Sequence, residues 1–186
     1  MKVHFVVHES FEAPGAYETW VRERGFEAGH SRVHDHEPLP RSIDDIDLLV
    51  VMGGPQSPST TREECPHFDA AAECALIARC VDGGKAVVGV CLGAQLLGEA
   101  LGARCEHSPE REIGKFPIML TPEGKAPEVI ERLITAPGRE PETFAARRFV
   151  QPPEVLRAHD YGAMNQRLYG FPDRFVEAYA DRRGQR

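Results

Sequence analysis

Residues 85–98 read Lys-Ala-Val-Val-Gly-Val-Cys-Leu-Gly-Ala-Gln-Leu-Leu-Gly. Ala86 to Val90 is a short run of small and β-branched apolar residues, the pattern of a strand buried in a parallel sheet. Ala94 to Leu101 continues as a helix, with Gly102 as its stop. Between the two lies Cys91-Leu92-Gly93, a turn with no room for a loop. A cysteine at such a turn projects its sulfur away from the backbone, and the N-terminus of the following helix favours the thiolate. Gly89 and Gly93 relieve crowding at the turn. The N–H group after the cysteine is then available to a developing oxyanion.

The same alternation extends outward. Lys2 to Val7 predicts a strand, and Pro14 to Arg24 a helix with proline in its first turn and Gly25 as its stop. Gly29 to His34 is a weaker strand, followed by a surface connection through Pro38, Pro40 and Ile43 to Asp47. Asp47 to Met52 carries Leu48, Leu49, Val50 and Val51 in a row, which requires burial on both faces. It ends in Gly53-Gly54-Pro55. His67 to Val81 predicts an Ala-rich helix closed by Gly83-Gly84. Ala103 to Glu106 and Phe116 to Leu120 suggest short strands, and Pro127 to Ile134 a helical turn or two. Strands alternating with helices in this way predict a flavodoxin-like three-layer α/β/α sandwich with a mostly parallel central sheet.

The 186 residues, 41% apolar and 27% charged, fit one domain spanning 1–186 that folds without a disulfide or metal staple. Five cysteines without a C-x-x-C suggest reduced thiols. With no targeting or membrane-length apolar stretch, the sequence predicts a cytoplasmic protein that does not engage a membrane. A formal charge of −7 argues against nucleic acid as a partner. Residues 135–186 differ in composition: nine Arg and no Lys, five Pro, seven Ala and only five Val, Ile or Leu. This atypical tail, in which only Glu154 to Ala158 and Phe175 to Ala180 suggest secondary structure, reads as disordered or as translated from a shifted frame of a GC-rich gene.

Gly89-x-Cys91-x-Gly93-x-Gln95 resembles the nucleophile elbow of class I glutamine amidotransferases. Met52-Gly53-Gly54-Pro55-x-Ser57 is similar to that family's oxyanion loop, and Glu112-Ile113-Gly114 to a stretch beside its substrate pocket. Phe11 to Gly15 and Ser57-Pro58-Ser59 resemble the subgroup similar to the amidotransferase domain of GMP synthase. The resemblance, over residues 1 to about 134, implies that Cys91 attacks the side-chain amide of glutamine, releasing ammonia and leaving a γ-glutamyl thioester for water to hydrolyse. It implies an oxyanion hole from the N–H groups of Gly54 and Leu92. It also implies substrate contacts at Gly53, Gln95, Glu112, Ile113 and Gly114. No organic cofactor or metal is implied. A synthetase partner would accept the ammonia.

The family also places a His-x-Glu near the C-terminus, and this chain has none. His159, followed by Asp160 and Tyr161, is the replacement base the sequence offers. Without a general base the thiol ionises by helix dipole alone, so weak or absent glutaminase activity is expected. Two alternatives follow: a non-catalytic binding or regulatory homologue, and another cysteine-elbow hydrolase or peptidase, which Gln95 and Glu112-Ile113-Gly114 disfavour. A sheet edge left poorly covered by an abnormal tail would favour homo-oligomers. His30, His34, Asp35 and His36 cluster along a strand end but lack a definite ligand pattern. His4 and His8 read as part of the first strand and its end.

Overall fold

Four consecutive residues, Leu48 to Val51, are each no more than 1% exposed, as an uninterrupted apolar run requires. They form the centre of a four-stranded parallel sheet in a computed structural model that describes residues 1–106 and 162–184. The strands are β1 (Lys2–Val7), β2 (Glu27–Arg32), β3 (Leu48–Val51) and β4 (Ala86–Gly89), in the order β2-β1-β3-β4. Val50 stands opposite Phe5 on one side and Val88 on the other. Alternate residues of β3 serve different layers. Leu49 and Val51 join a core with Leu76, Ile77 and Cys80 of helix α2 (Ala70–Asp82) and Leu92 and Leu96 of helix α3 (Leu92–Ala100). Leu48 and Val50, equally buried, fall on the other face. Each such side chain contributes about 1.5–3 kcal/mol when fully buried. This strand order and layering give the expected flavodoxin-like α/β fold.

Helix bounds follow their caps. Helix α1 (Ala16–Glu23) is preceded by Gly15 at φ 53° and followed by Gly25 at φ 68°, a left-handed conformation natural for glycine. Its end is closed by Phe26 N–H donating to the Val21 carbonyl at 3.0 Å. Helix α2 begins three residues later than the sequence pattern predicts, because Asp69 caps it by accepting from Ala72 N–H at 2.9 Å. A 3-10 turn, Val33–Asp35, follows β2 directly where a continued strand to His34 was expected.

Two further differences concern the later chain. Residues 103–106 form no strand: Ala103 N–H returns to the Gly98 carbonyl and Cys105 N–H to the Glu99 side chain, so these donors close helix α3. The last described element is a 23-residue helix, α4 (Gly162–Gly184), of which the sequence showed only Phe175 to Ala180. Pro172 lies inside it, and the chain divides there into two units, Met1–Cys105 with Pro172–Arg186, and Glu106–Phe171. The expected elements at Phe116 to Leu120, Pro127 to Ile134 and Glu154 to Ala158 lie outside the described residues.

Within the first unit Asp173 anchors α4 to α1. Its carboxylate accepts from the buried Trp20 indole at 2.8 Å and from Arg24 Nε and Nη2 at 2.9 and 2.6 Å. The Arg24 guanidinium, with the Trp20 indole after it, holds the Asp173 carboxyl below its ordinary range. Arg183, ten residues further along α4, pairs with Asp47. Asp173→Ala removes a charge-assisted acceptor and leaves the Trp20 donor buried, so a loss of about 1–3 kcal/mol is expected by urea unfolding. Asp181→Ala, at an exposed position of the same helix, serves as the near-neutral control.

Candidate active site

In an open parallel sheet, ligands bind beyond the carboxyl ends of the strands, where the chain order reverses. Here the reversal falls between β1 and β3, which run into His8 and into Met52-Gly53 respectively. Cys91 follows β4 nearby. It occupies the N-cap of α3 with φ 52° and ψ −108°, a left-handed conformation that non-glycine residues rarely adopt. The residue is exposed, whereas Leu92 and Gly93 behind it are buried.

The glycines explain how this turn fits. A Cβ on Gly93 would stand 2.0 Å from the Val51 carbonyl oxygen, and one on Gly89 would stand 2.4 Å from the Gly93 oxygen. Gly93 N–H donates to the carbonyls of Met52 and Val90 at 3.1 and 2.9 Å, tying the first turn of α3 to the ends of β3 and β4. The same contact brings the Gly53-Gly54 segment to the cysteine. A Cβ on Gly53 would lie 3.5 Å from Cys91 Cβ, and one on Gly54 would lie 2.9 Å from Leu92 Cδ2. The N–H groups of Gly54 and Leu92 have no acceptor among the described residues. Gln95 sits one helical turn on, half-buried, its N–H bonded to the Cys91 carbonyl at 3.1 Å. Thus Gly53, Gly54, Cys91, Leu92 and Gln95 converge. Glu112, Ile113, Gly114 and His159 lie outside the described residues.

Beneath the glycine segment lies a buried pair that the sequence reading did not find. His8 is 0% exposed and Glu73 is 2% exposed; His8 Nε2 meets Glu73 Oε2 at 2.8 Å while His8 Nδ1 lies 3.0 Å from the Gly53 carbonyl. Burial disfavours the imidazolium most strongly, yet the Glu73 hydrogen bond and charge, with the Gly53 carbonyl, outweigh it and raise the His8 pKa above its ordinary value. An imidazolium donates from both nitrogens, so it can bond the Gly53 carbonyl and Glu73 together. One signal was present in the sequence. Glu73 occupies the same face of α2 as Leu76, Ile77 and Cys80, and a carboxylate on an apolar face needs a partner.

Two other carboxylates stand at this end of the sheet. Glu9 accepts from Gln56 Nε2 at 2.8 Å and pairs with His67 at 3.3 Å, close to the Cys65 sulfur. Glu12 is half-buried, and its Oε2 approaches to 2.6 Å from the point where a Cβ on Gly53 would stand. Burial, reinforced by Glu9 and opposed by His8, pushes the Glu12 carboxyl above its usual range. His30 and His34 pair with Glu18 and Asp35, and no group of three or more His, Cys, Asp or Glu side chains is placed to hold a metal among the described residues. A cavity of about 180 Å³, bordered by His36, Arg62, His67 and Glu73, opens beside α2; Cys91 does not line it. None of the described helices is long and apolar enough to cross a membrane.

Fold and site together define a flavodoxin-like α/β protein with a cysteine at a strand-to-helix elbow beside a Gly-Gly segment. Residues 15–179 match the family model of class I glutamine amidotransferases, and the chain belongs to that family. The glutamine amidotransferase-like protein YfeJ of Salmonella typhimurium is 58% identical over 124 residues, which cover 67% of this chain and 52% of that protein. This chain therefore spans about half the length of that curated relative. The crystal structure of SMU.1228c superposes with a TM-score of 0.82 at 36% identity, covering 95% of this chain and 100% of the other. That of a glutamine amido transferase from Methylobacillus flagellatus superposes with a TM-score of 0.55 at 32% identity, over 61% of this chain and 43% of the other.

Proposed function

We propose that this chain carries the glutaminase half-reaction of an amidotransferase, with Cys91 as the nucleophile. The observation that carries this reading is the placement of an exposed cysteine at the N-terminus of α3 beside the N–H groups of Gly54 and Leu92, which lack acceptors among the described residues. In the proposed reaction the Cys91 thiolate forms a bond to the amide carbon of glutamine. The carbonyl oxygen takes the negative charge and is held by the two N–H groups. Collapse breaks the C–N bond, the departing nitrogen takes a proton to leave as ammonia, and water hydrolyses the γ-glutamyl thioester to glutamate and the free thiol. His159 is the residue proposed to move these protons. Glu112, Ile113 and Gly114 are proposed to border the substrate with Gly53 and Gln95. The ammonia would pass to a synthetase partner.

The absence of a His-x-Glu from the sequence favours a second reading, a homologue that keeps the glutamine pocket without efficient turnover. Purified protein should be assayed for ammonia and glutamate together, wild type against Cys91→Ser, with a peptide substrate run in parallel. Equimolar release that vanishes in Cys91→Ser supports the first reading. Glutamine binding without release supports the second, and cysteine-dependent peptide cleavage without glutamine hydrolysis overturns both.

A further inference from the structure

We propose that the Glu12 carboxylate receives the α-ammonium group of glutamine at the Cys91 site. This assignment rests on the glutamine-binding reading above and adds a recognition residue to it. Glu12 Oε2 and Cys91 Cβ lie 2.6 and 3.5 Å from the same point, the place a Cβ on Gly53 would occupy, so carboxylate and cysteine flank one glycine. Of the three carboxylates grouped at this end of the sheet, Glu73 is committed to His8 and Glu9 to Gln56 and His67. The Glu12 side chain has no hydrogen bond or ion pair among the described residues, although it is half-buried. The loop backbone is tied on both sides of the residue: Glu12 N–H bonds the Glu9 carbonyl at 3.1 Å, and Pro14 is buried.

A negative charge in this position opposes both a thiolate and an oxyanion, since like charges raise one another's energy most where water is partly excluded. The opposition disappears if the ligand brings a cation. Glutamine does so, carrying an ammonium group a few bonds from the amide carbon that Cys91 would attack. Glu12 would then select α-amino amides over simple amides, and its charge would be neutralised only when the correct substrate is seated. Gly53 leaves the space between carboxylate and cysteine open, which a larger residue would close.

The test uses the full chain and follows covalent labelling of Cys91, so it does not require turnover. Three probes are compared: an electrophilic glutamine analogue bearing the α-ammonium, the same electrophile without the amino group, and iodoacetamide. In wild type the amino-bearing analogue should label fastest. Glu12→Gln should slow that analogue roughly ten- to a hundredfold, the loss of one charge-assisted contact, while iodoacetamide labelling is not slowed. Glu12→Asp should recover part of the rate. Equal labelling of wild type and Glu12→Gln by the amino-bearing analogue overturns the assignment, as does a wild type indifferent to the amino group. Failure of the glutamine reading itself gives a different result: iodoacetamide alkylates Cys91, neither analogue labels it, and glutamine gives no protection.

Discussion

His8→Ala is expected to destabilise the protein by about 3–5 kcal/mol, because it leaves the Glu73 carboxylate buried without its counter-ion. Glu73 is 2% exposed and its other oxygen has no partner among the described residues, so no alternative donor is in place. The loss would appear as a lower urea midpoint at unchanged slope and a melting temperature lower by roughly 10 °C. Replacing both residues by leucine should cost much less than removing either alone, since the penalty lies in the stranded charge. A cost below about 1 kcal/mol for His8→Ala would show that water or another group satisfies Glu73. The pair also gives stability a pH dependence. The His8 pKa is raised on folding, so the folded state binds the proton more tightly than the unfolded chain. That contribution is fully present below the unfolded value of about 6.5 and is lost as pH rises through the folded pKa. His8→Asn should flatten this part of the stability profile. Wild-type stability that instead increases across that window would contradict a protonated His8.

The pair has a second consequence, because His8 also bonds the Gly53 carbonyl across the point where the sheet order reverses. Loss of His8 frees the peptide that precedes Gly54 N–H. The segment then loses the bond at the Gly53 carbonyl and keeps the one between the Met52 carbonyl and Gly93 N–H. Core stability and site geometry are coupled here through one imidazole.

What the sequence made legible was local. The Leu48 to Val51 run, the Gly-flanked Cys91 and the Gly83-Gly84 stop each state their conformation within a few residues, and the parallel sheet follows from the alternation of strands and helices. The His8–Glu73 pair joins residues 65 apart: Glu73 stands out on the apolar face of α2, but nothing near it in sequence points to its partner at the end of β1. Glu12 was noticed as part of a loop pattern, whereas its approach to Gly53 depends on how that loop returns over β3. Helix α4 was read only at Phe175 to Ala180, because its apolar residues do not gather on one helical face and Pro172 interrupts it, while Asp173 meets α1 through hydrogen bonds that periodicity does not register. Residues 103–106 misled in the opposite direction, a short stretch whose N–H groups go to a helix end rather than a neighbouring strand.

Gly93→Ala should be the most disruptive single methyl group in the first unit. Its Cβ would stand 2.0 Å from the Val51 oxygen and 2.6 Å from the Val51 carbonyl carbon, both backbone atoms of the central strand. No rotamer change relieves that contact; α3 must withdraw from β3, breaking the Gly93 bond to Met52 and unseating the buried Leu92 and Leu96. Overpacking in a close-packed interior costs about 1–3 kcal/mol when side chains can adjust. With backbone on both sides the cost is expected to exceed that range. Gly98→Ala in the same helix provides the contrast. Among the described residues a Cβ there would meet only Ala103 Cβ at 3.7 Å, an ordinary contact, so the better helix propensity should stabilise by roughly 0.5–1 kcal/mol. Urea unfolding of the two variants therefore should move in opposite directions. If Gly93→Ala folds with wild-type stability, α3 does not press on β3 as the structure has it, and Cys91 would not need its left-handed turn. If it is destabilised while Gly98→Ala is not, the glycine requirement belongs to the close approach of helix and strand that sets Cys91 beside Gly53.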